Sequence, residues 1–371
     1  MILKSLKLNY FRNYNRGVFE FNDNLNIILG NNGTGKTTLL EAIHYLSLTK
    51  SFRTHKNSDV IKYNCNYFQI FGIFTNSKKE EINVNFNYSN NDGKALFINR
   101  IKIEKIIDII GKIPVIILSP SNQRITEGGP LLRRNFIDRI LSQIDPGYLS
   151  TLIEFKKSIV QRNALLKQYK DEEKYKYDPY IETIDDVLIE YAFQIQKMRE
   201  SFINDFTPLF KEVYRLLNHI NHAVYIKNYR DIEVEIENFR KRYKQKLKSR
   251  IERDINYGRT ATGPHLDRIS FIFNDRDIRY FGSQGEHKIY LMALKLAEGR
   301  FIEEKTGEKV IFLLDDLFAL LDRTHCTNII KLIGPANQTF ITATDMAVLE
   351  RSDFNIDRYD HKILKLPDGA V

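Results

Sequence analysis

The chain has 371 residues, 43% of them hydrophobic and 28% charged, an ordinary balance for a globular protein and a length that favours two lobes over one core. No segment carries the roughly 18 uninterrupted apolar residues of a membrane span, and two cysteines, Cys65 and Cys326, are too few and too separated for a disulfide framework or a zinc site. A formal net charge of +9 suits a polyanionic partner, although the location of the charge matters more than its sum.

The start, Met1-Ile2-Leu3-Lys4-Ser5-Leu6-Lys7, alternates like a strand and lacks the apolar block of a signal peptide, so a soluble, cytoplasmic protein is expected. Ile2, Leu6 and Leu8 mark a first strand, Val18 to Phe21 a second, and Leu25 to Leu29 a third. The third runs into Gly30-Asn31-Asn32-Gly33-Thr34-Gly35-Lys36-Thr37, a full G-x-x-x-x-G-K-T phosphate loop. Thr38 to Leu46 then reads as a helix with Leu39, Ala42, Ile43 and Leu46 on one face. Strand, loop and helix stand in the order that phosphate binding needs. The glycines let successive N–H groups turn inward around a phosphate at a helix N-terminus that carries about half a positive charge. Lys36 would reach the β- and γ-phosphates of ATP, and Thr37 would ligate Mg²⁺.

Further strands are expected at Tyr67 to Phe74 and at Glu81 to Tyr88, whose unbroken alternation predicts one wet face. A turn at Ser89 to Gly93 leads to Ala95 to Ile98 and Ile101 to Ile103, completing an antiparallel meander beside the nucleotide core. Ile113 to Leu118 reads as a buried strand. Composition then shifts to long helical patterns rich in Lys, Arg, Tyr and Glu, with candidate helices from Leu132 to Ile144, Tyr148 to Tyr169, Tyr180 to Leu217 with a break near Thr207-Pro208, and Ile232 to Asn256. Sheet signals return with Ile269 to Phe273, a turn at Asn274-Asp275, and Ile278 to Tyr280. The fold class is therefore α/β: a P-loop ATPase lobe with mixed and antiparallel sheet, formed by residues 1–120 and 260–371, and an inserted α-helical lobe over residues 121–259.

Ser283-Gln284-Gly285-Glu286 has the form of a capping box opening a helix to about Phe301, and the same start, bare of bulk at Gly285, offers N–H groups to a phosphate. Val310 to Leu314 is an apolar strand ending in Asp315 and Asp316, and Gln338 to Thr342 is another. Asp315 suits a partner of the Mg²⁺ held by Thr37, and Asp316 suits orienting the attacking water and accepting its proton, so that Asp316 and Lys36 are the catalytic candidates.

In this order the phosphate loop, the late Ser-x-Gly helix start, the apolar strand with its acid pair, and Leu321-Asp322 make up the ABC-type ATPase set. More narrowly, the chain resembles the RecF family of bacterial DNA replication and repair proteins. The stretches that carry the resemblance span nearly the whole chain: Tyr10-Phe11-Arg12-Asn13-Tyr14, Gly30 to Thr37 running into Ile43, Lys50-Ser51-Phe52-Arg53, Arg133-Arg134-Asn135-Phe136-Ile137-Asp138, Gln161-Arg162-Asn163, Thr262-Gly263-Pro264-His265-Leu266-Asp267, Phe281 to Gly285, and Leu313 to Asp316.

The resemblance implies an ATP-driven, head-to-tail homodimer in which Ser283 and Gly285 of one subunit meet the γ-phosphate held by Lys36, Thr37 and Thr38 of the other. It implies weak, DNA-stimulated hydrolysis, sequence-independent binding to single-stranded, gapped or junction DNA, and work with RecO, RecR and RecA in repair and the SOS response. It also gives Arg12 and Asn13 the nucleotide base, Arg53 a phosphate or DNA, Asp322 the dimer seam, and Thr344 the place where many ABC ATPases keep a switch histidine. The chain departs from the family pattern at Glu286 and His287, and at Ser121-Asn122-Gln123, where Gln123 is a candidate for the Q-loop.

Phe239 to Arg253 holds eight basic residues against one acid, with Phe239, Tyr243, Leu247 and Ile251 spaced to pack inward. Arg240, Lys241, Lys244 and Lys248 are therefore expected to meet DNA phosphates, together with Arg133 and Arg134, and Lys156, Lys157 and Arg162 extend the set. No recognition helix or base-stacking motif is visible in the sequence. A transporter motor subunit is the alternative reading of the same ATPase set, but it predicts a small helical subdomain with an apolar coupling groove. A bridging protein with a long coiled coil would need a rod that this insert is too short to supply.

Overall fold

A computed structural model of the chain describes residues 1–218, 222–230, 238–316, 323–346 and 360–367. It divides into two compact units, one of Met1–Arg124, Leu209–His222 and Gly282–Val371, the other of Ile125–Pro208 and Ala223–Phe281. The elements run β1 (Ile2–Phe11), β2 (Tyr14–Glu20), β3 (Leu25–Leu29), α1 (Lys36–Leu48), β4 (Tyr67–Thr75), β5 (Glu81–Ser89), β6 (Gly93–Ile98), β7 (Ile101–Lys102) and β8 (Val115–Leu118). They continue as α2 (Arg124–Glu127), α3 (Pro130–Ile144), α4 (Pro146–Asp171), α5 (Pro179–Asn218), β9 (Val224–Tyr229), α6 (Phe239–Ser249), α7 (Ile251–Tyr257), β10 (Arg268–Phe273), β11 (Arg276–Asp277), α8 (Ile278–Phe281), α9 (Gln284–Thr306), β12 (Ile311–Leu314), a helix at Arg323–Ile333, β13 (Thr339–Ala343) and β14 (His361–Lys365).

The first unit holds two sheets. One is antiparallel, in the order β2-β1-β4-β5-β6-β7, and the other is parallel, in the order β14-β3-β13-β12-β8. The sequence pattern sets this difference. β3, β8, β12 and β13 are buried at every residue, as strands covered on both faces must be. β5 instead buries Val84 and Phe86 while Asn83, Asn85 and Asn87 take the other face. Helix α1 packs against strands of both sheets, and all of it except Thr37 is buried. Its polar residues therefore need internal partners. Ser47 donates to the Ile113 carbonyl at 2.5 Å, His44 Nδ1 lies 2.9 Å from the Lys50 carbonyl, and Glu41 takes two arginines described below.

The second unit packs α3 against α4 and β10, and its antiparallel sheet runs β11-β10-β9. Asn274 and Asp275 both take positive φ, 47° and 63°, in the two-residue loop joining β10 to β11. That left-handed pair is what a tight hairpin demands, and Asn and Asp tolerate it.

Several boundaries differ from the sequence reading. Residues 260–281, expected with the nucleotide lobe, belong to the second unit, because β10 pairs along its whole length with β9, a strand the helical composition around it had hidden. Residues 209–222 belong to the first unit. The break expected near Thr207-Pro208 is absent: α5 runs on through Pro208, its buried stripe of Phe202, Phe206, Phe210 and Val213 unbroken. The helix expected over Ile232 to Asn256 is two in its described part, α6 and α7, hinged at Arg250. Ile278 to Tyr280, expected as strand, forms the single turn α8.

Candidate nucleotide site and basic surfaces

The phosphate loop leaves β3 and closes on α1. Gly33 and Gly35 take φ of 86° and 101°, and a Cβ on Gly35 would also meet Asn13 and Tyr14 at 2.8 Å, so this position admits only glycine. Lys36 Nζ folds back to donate to the carbonyls of Gly30 at 2.6 Å and Asn31 at 3.0 Å, holding the ammonium at the centre of the loop. Thr34 is buried and its hydroxyl donates to the Asn31 carbonyl at 2.9 Å. A hollow of about 510 Å³ opens over the loop, walled by Asn32, Gly33, Gly35, Lys36, Thr37 and Thr38, with Arg12, Asn13, Arg53 and Asp316 on its other sides.

Parallel pairing of β12 beside β13 brings the acid pair to this hollow. Thr37 Oγ1 donates to Asp315 Oδ1 at 2.9 Å, and Thr342 Oγ1 donates to the same oxygen at 3.0 Å. Burial pushes the Asp315 carboxyl above the usual carboxylate range, the Thr37 hydrogen bond works against that, and the neighbouring Asp316 charge adds to it. A cation between Thr37 and Asp315 would relieve the cost of this buried acid. A hydroxyl and a carboxylate are the hard-oxygen donors that Mg²⁺ takes alongside water and phosphate oxygens, so the residues present fit the ion. Among the described residues there is no cluster of three or more His, Cys, Asp or Glu side chains built to hold a metal unaided. Asp316 sits at φ 48° with its N–H donating to Thr342 Oγ1 at 2.9 Å, a left-handed turn that leaves it on the wall of the hollow.

Glu41, like Thr342, is a residue of this site that the sequence motifs do not mark. It is fully buried and accepts from Arg12 in a bidentate pair, Nε at 3.0 Å and Nη2 at 2.6 Å, and from Arg53 Nη1 at 3.4 Å, while Ser51 Oγ also donates to it. The available signal was a lone acid inside an otherwise apolar helix. Arg12 and Arg53 thus form a fixed wall, and Arg12 Nη1 also donates to the Asp59 carbonyl at 2.8 Å. Asn13 differs from both. Its amide nitrogen and oxygen are buried without a hydrogen-bond partner among the described residues, on the wall of the hollow, and a bound ligand would satisfy them.

The Ser283 helix start is a true capping box. Ser283 N–H donates to Glu286 Oε2 at 2.7 Å and the Ser283 hydroxyl accepts from the Glu286 N–H at 3.3 Å. The Glu286 carboxylate is therefore turned back onto the cap. Ser283, Gln284 and Gly285 are exposed, and a Cβ on Gly285 would meet none of the described residues within 4 Å. Thr344 follows β13 and is exposed, Gln123 ends a 3₁₀ turn, and Asp322 lies outside the described residues.

Several of the arginines expected to meet DNA do structural work instead. Arg133 is 2% exposed, donates to both carboxylate oxygens of Asp277 at 3.0 Å and to the Thr126 carbonyl at 2.8 Å, and stacks over Phe271. Arg134 is buried and donates to the Asp267 carbonyl at 2.6 Å. Arg162 is fully buried between Asp185, at 2.6 Å, and Asp254, at 2.7 Å. Arg199 pairs with Asp138 and Asp267 in the same unit. These side chains cannot reach a phosphate. On α6 the expected stripe of Phe239, Tyr243 and Leu247 is buried, and the bases lie outward. Arg240 pairs with Glu190, and Lys244 with Glu182 at 2.9 Å and Asp186 at 2.7 Å, whereas Lys241 and Lys248 are exposed, Lys248 lying over the Tyr177 ring.

Residues 2–363 match the model of the RecF/RecN/SMC N terminal domain. The DNA replication and repair protein RecF of Chloroherpeton thalassium is 33% identical over 95% of this chain and 96% of its own, and that of Streptococcus gordonii is 33% identical over the whole of both. This chain belongs to the RecF family. The solved structure of the recombination mediator protein RecF-ATPrS in the RecFOR pathway matches it with a TM-score of 0.88 at 31% identity, over 99% of this chain and 96% of that one. The Smc head domain of Pyrococcus furiosus, 17% identical with a TM-score of 0.56 over the whole chain, shares the fold. RecF membership accounts for the α/β ATPase architecture seen in the first unit.

Proposed function

We propose that this chain is an ATP-dependent DNA-binding protein of replication and recombinational repair, and that ATP is the joint of a head-to-tail homodimer. One subunit supplies Lys36, Thr37 and Thr38 to the phosphates, and its partner supplies Ser283 and Gly285. The observation that carries the reading is the unhindered N-terminus of α9, where Ser283 and Gly285 stand exposed and Glu286 is held away by its own cap. That end offers N–H groups and a positive dipole to an incoming γ-phosphate. The relatives named DNA replication and repair proteins, and the RecF-ATPrS structure, support the same reading.

Thr37 and Asp315 would hold Mg²⁺, which when bound draws charge from the phosphate oxygens. Asp316 would orient a water on the γ-phosphorus and take its proton as the bond to the bridging oxygen breaks, giving ADP and phosphate. Arg12, Asn13 and Arg53 wall the nucleotide. DNA contacts would come from exposed cations of α6, chiefly Lys241 and Lys248, with Arg240 and Lys244 available once their surface pairs exchange for phosphates. Slow hydrolysis would reopen the dimer and release DNA in the cytoplasm. RecR, RecO and RecA are the partners this reading implies.

Light scattering and binding to a gapped duplex, each with ATP, ADP and no nucleotide, test it. ATP is expected to give a dimer with raised DNA affinity, and Lys36→Met or Asp315→Ala to remain a folded monomer. A monomer with the same DNA affinity in all three conditions overturns the proposal.

A further inference from the structure

The outer face of the antiparallel sheet has no part in the nucleotide chemistry, yet it is built in an unusual way. Strand register aligns Lys7, Phe71, Asn85, Phe97 and Lys102 in one row across β1, β4, β5, β6 and β7. The two phenylalanines stand on strands separated by β5, about 10 Å apart from strand spacing alone, and both are only half-buried. Between and beside them lies a lattice of amides. Asn9 donates to Gln69 at 3.0 Å and Gln69 donates to Asn85 at 3.0 Å, while Asn83 and Asn87 continue the same face of β5. Phe71 and Phe97, with Asn83, Asn85 and Asn87, floor a hollow of about 880 Å³.

Antiparallel sheets commonly leave a polar second face in water. This one offers two rings, amides that both donate and accept, and the cations Lys7, Arg16 and Arg100, which make no ion pair among the described residues. Glu81 at the rim is occupied with the Asn83 amide at 2.8 Å, and Glu104 with Lys102 at 3.4 Å. An apolar protein surface laid here would strand the amides without partners. An unpaired nucleobase would cover a ring, return hydrogen bonds to an amide and bring its phosphate to a cation.

We propose that this sheet face binds single-stranded DNA, with one base stacked on Phe71, one on Phe97, and the Asn85 amide between them. The proposal rests on the DNA-binding reading above and gives the single-stranded part of the substrate a seat of its own on the first unit, whereas the basic helix that would hold the duplex belongs to the second.

The test uses the full chain with ATP, a fluorescent oligo-dT and a blunt duplex of equal length. Phe71→Ala and Phe97→Ala are each expected to weaken oligo-dT binding at least about fivefold, the loss of one base–aromatic stack. Duplex affinity and ATP-driven dimerisation should stay as in the parent, and Phe71→Tyr and Phe97→Tyr should retain binding because a ring remains. Unchanged oligo-dT affinity in the alanine variants overturns the proposal. So does an equal loss for oligo-dT and duplex, which would make the face a general electrostatic surface, or a loss of self-association without nucleotide, which would make it a seam between copies. A parent protein that binds neither DNA would instead overturn the function proposed above.

Discussion

Lys36 and Arg162 are both buried cations, and they are kept in opposite ways. Lys36 rests on two neutral carbonyls beside an open hollow, with its positive charge unmatched by any ion pair in the loop. Arg162 is wedged between two carboxylates with no exposed surface. The first is a charge awaiting a counterion, and the second is a charge already neutralised. Residue type and motif membership do not separate the two cases. What separates them is whether the electrostatic demand is met inside the chain, and that makes one residue chemical and the other architectural.

Breaking the architectural side should have the largest effect. Arg162→Ala leaves Asp185 and Asp254 buried without a cation, and is expected to lower stability by about 3–5 kcal/mol. Arg162→Lys, which cannot bridge both acids, should recover only part. Urea denaturation of the full chain reads both, and a midpoint within error of the parent would dissolve the contrast.

His265 gives the next effect, through pH. Burial, with Arg134, Arg199 and Arg162 nearby, pushes its pKa down to about 4 from the ordinary 6.5. The unfolded chain takes up a proton near pH 6.5 and the folded chain does not, so stability falls as pH drops from 6.5 to 4, by up to about 3 kcal/mol. His265→Gln should flatten that stretch of the stability–pH curve.

Lys36→Met is expected to change unfolding by no more than about 1 kcal/mol, since only loop hydrogen bonds are lost, while removing nucleotide-driven dimerisation altogether. A large stability loss would move Lys36 to the architectural side. The smallest effect belongs to Lys241→Ala, which should leave the denaturation midpoint unmoved and reduce the slope of log affinity against log salt by about 1 on any DNA sequence. Arg133→Ala should do the reverse, costing stability and leaving the salt slope alone.

The candidate nucleotide site was legible because its requirements are local. Glycines at fixed offsets, a lysine and a threonine at a helix start, and acids closing an apolar strand are all set by neighbours in sequence. Glu41 and Thr342 were not legible as parts of the site, because helix burial and strand pairing, rather than the motif around them, supply their partners. The basic motifs misled for a related reason. Arg133, Arg134 and Arg162 read as surface charge until the chain folds and supplies Asp277, the Asp267 carbonyl, Asp185 and Asp254 from as far as 144 residues away. β9 and β14 escaped notice because short strands with mixed polarity draw their identity from the partner they join. The outer face of β5 was foreseen as wet, but the pair of rings across it depends on register, which no single strand reveals.

Helix α1 works as a ruler. Lys36 is its first residue, and Glu41 lies five positions on, about 7.5 Å along the axis. The same rigid rod therefore carries the ammonium proposed to meet the phosphates and the carboxylate that anchors the two arginines of the opposite wall. The span between those two walls is set by helical rise, so altering the loop can loosen the grip on a nucleotide while leaving unchanged the length of molecule that fits.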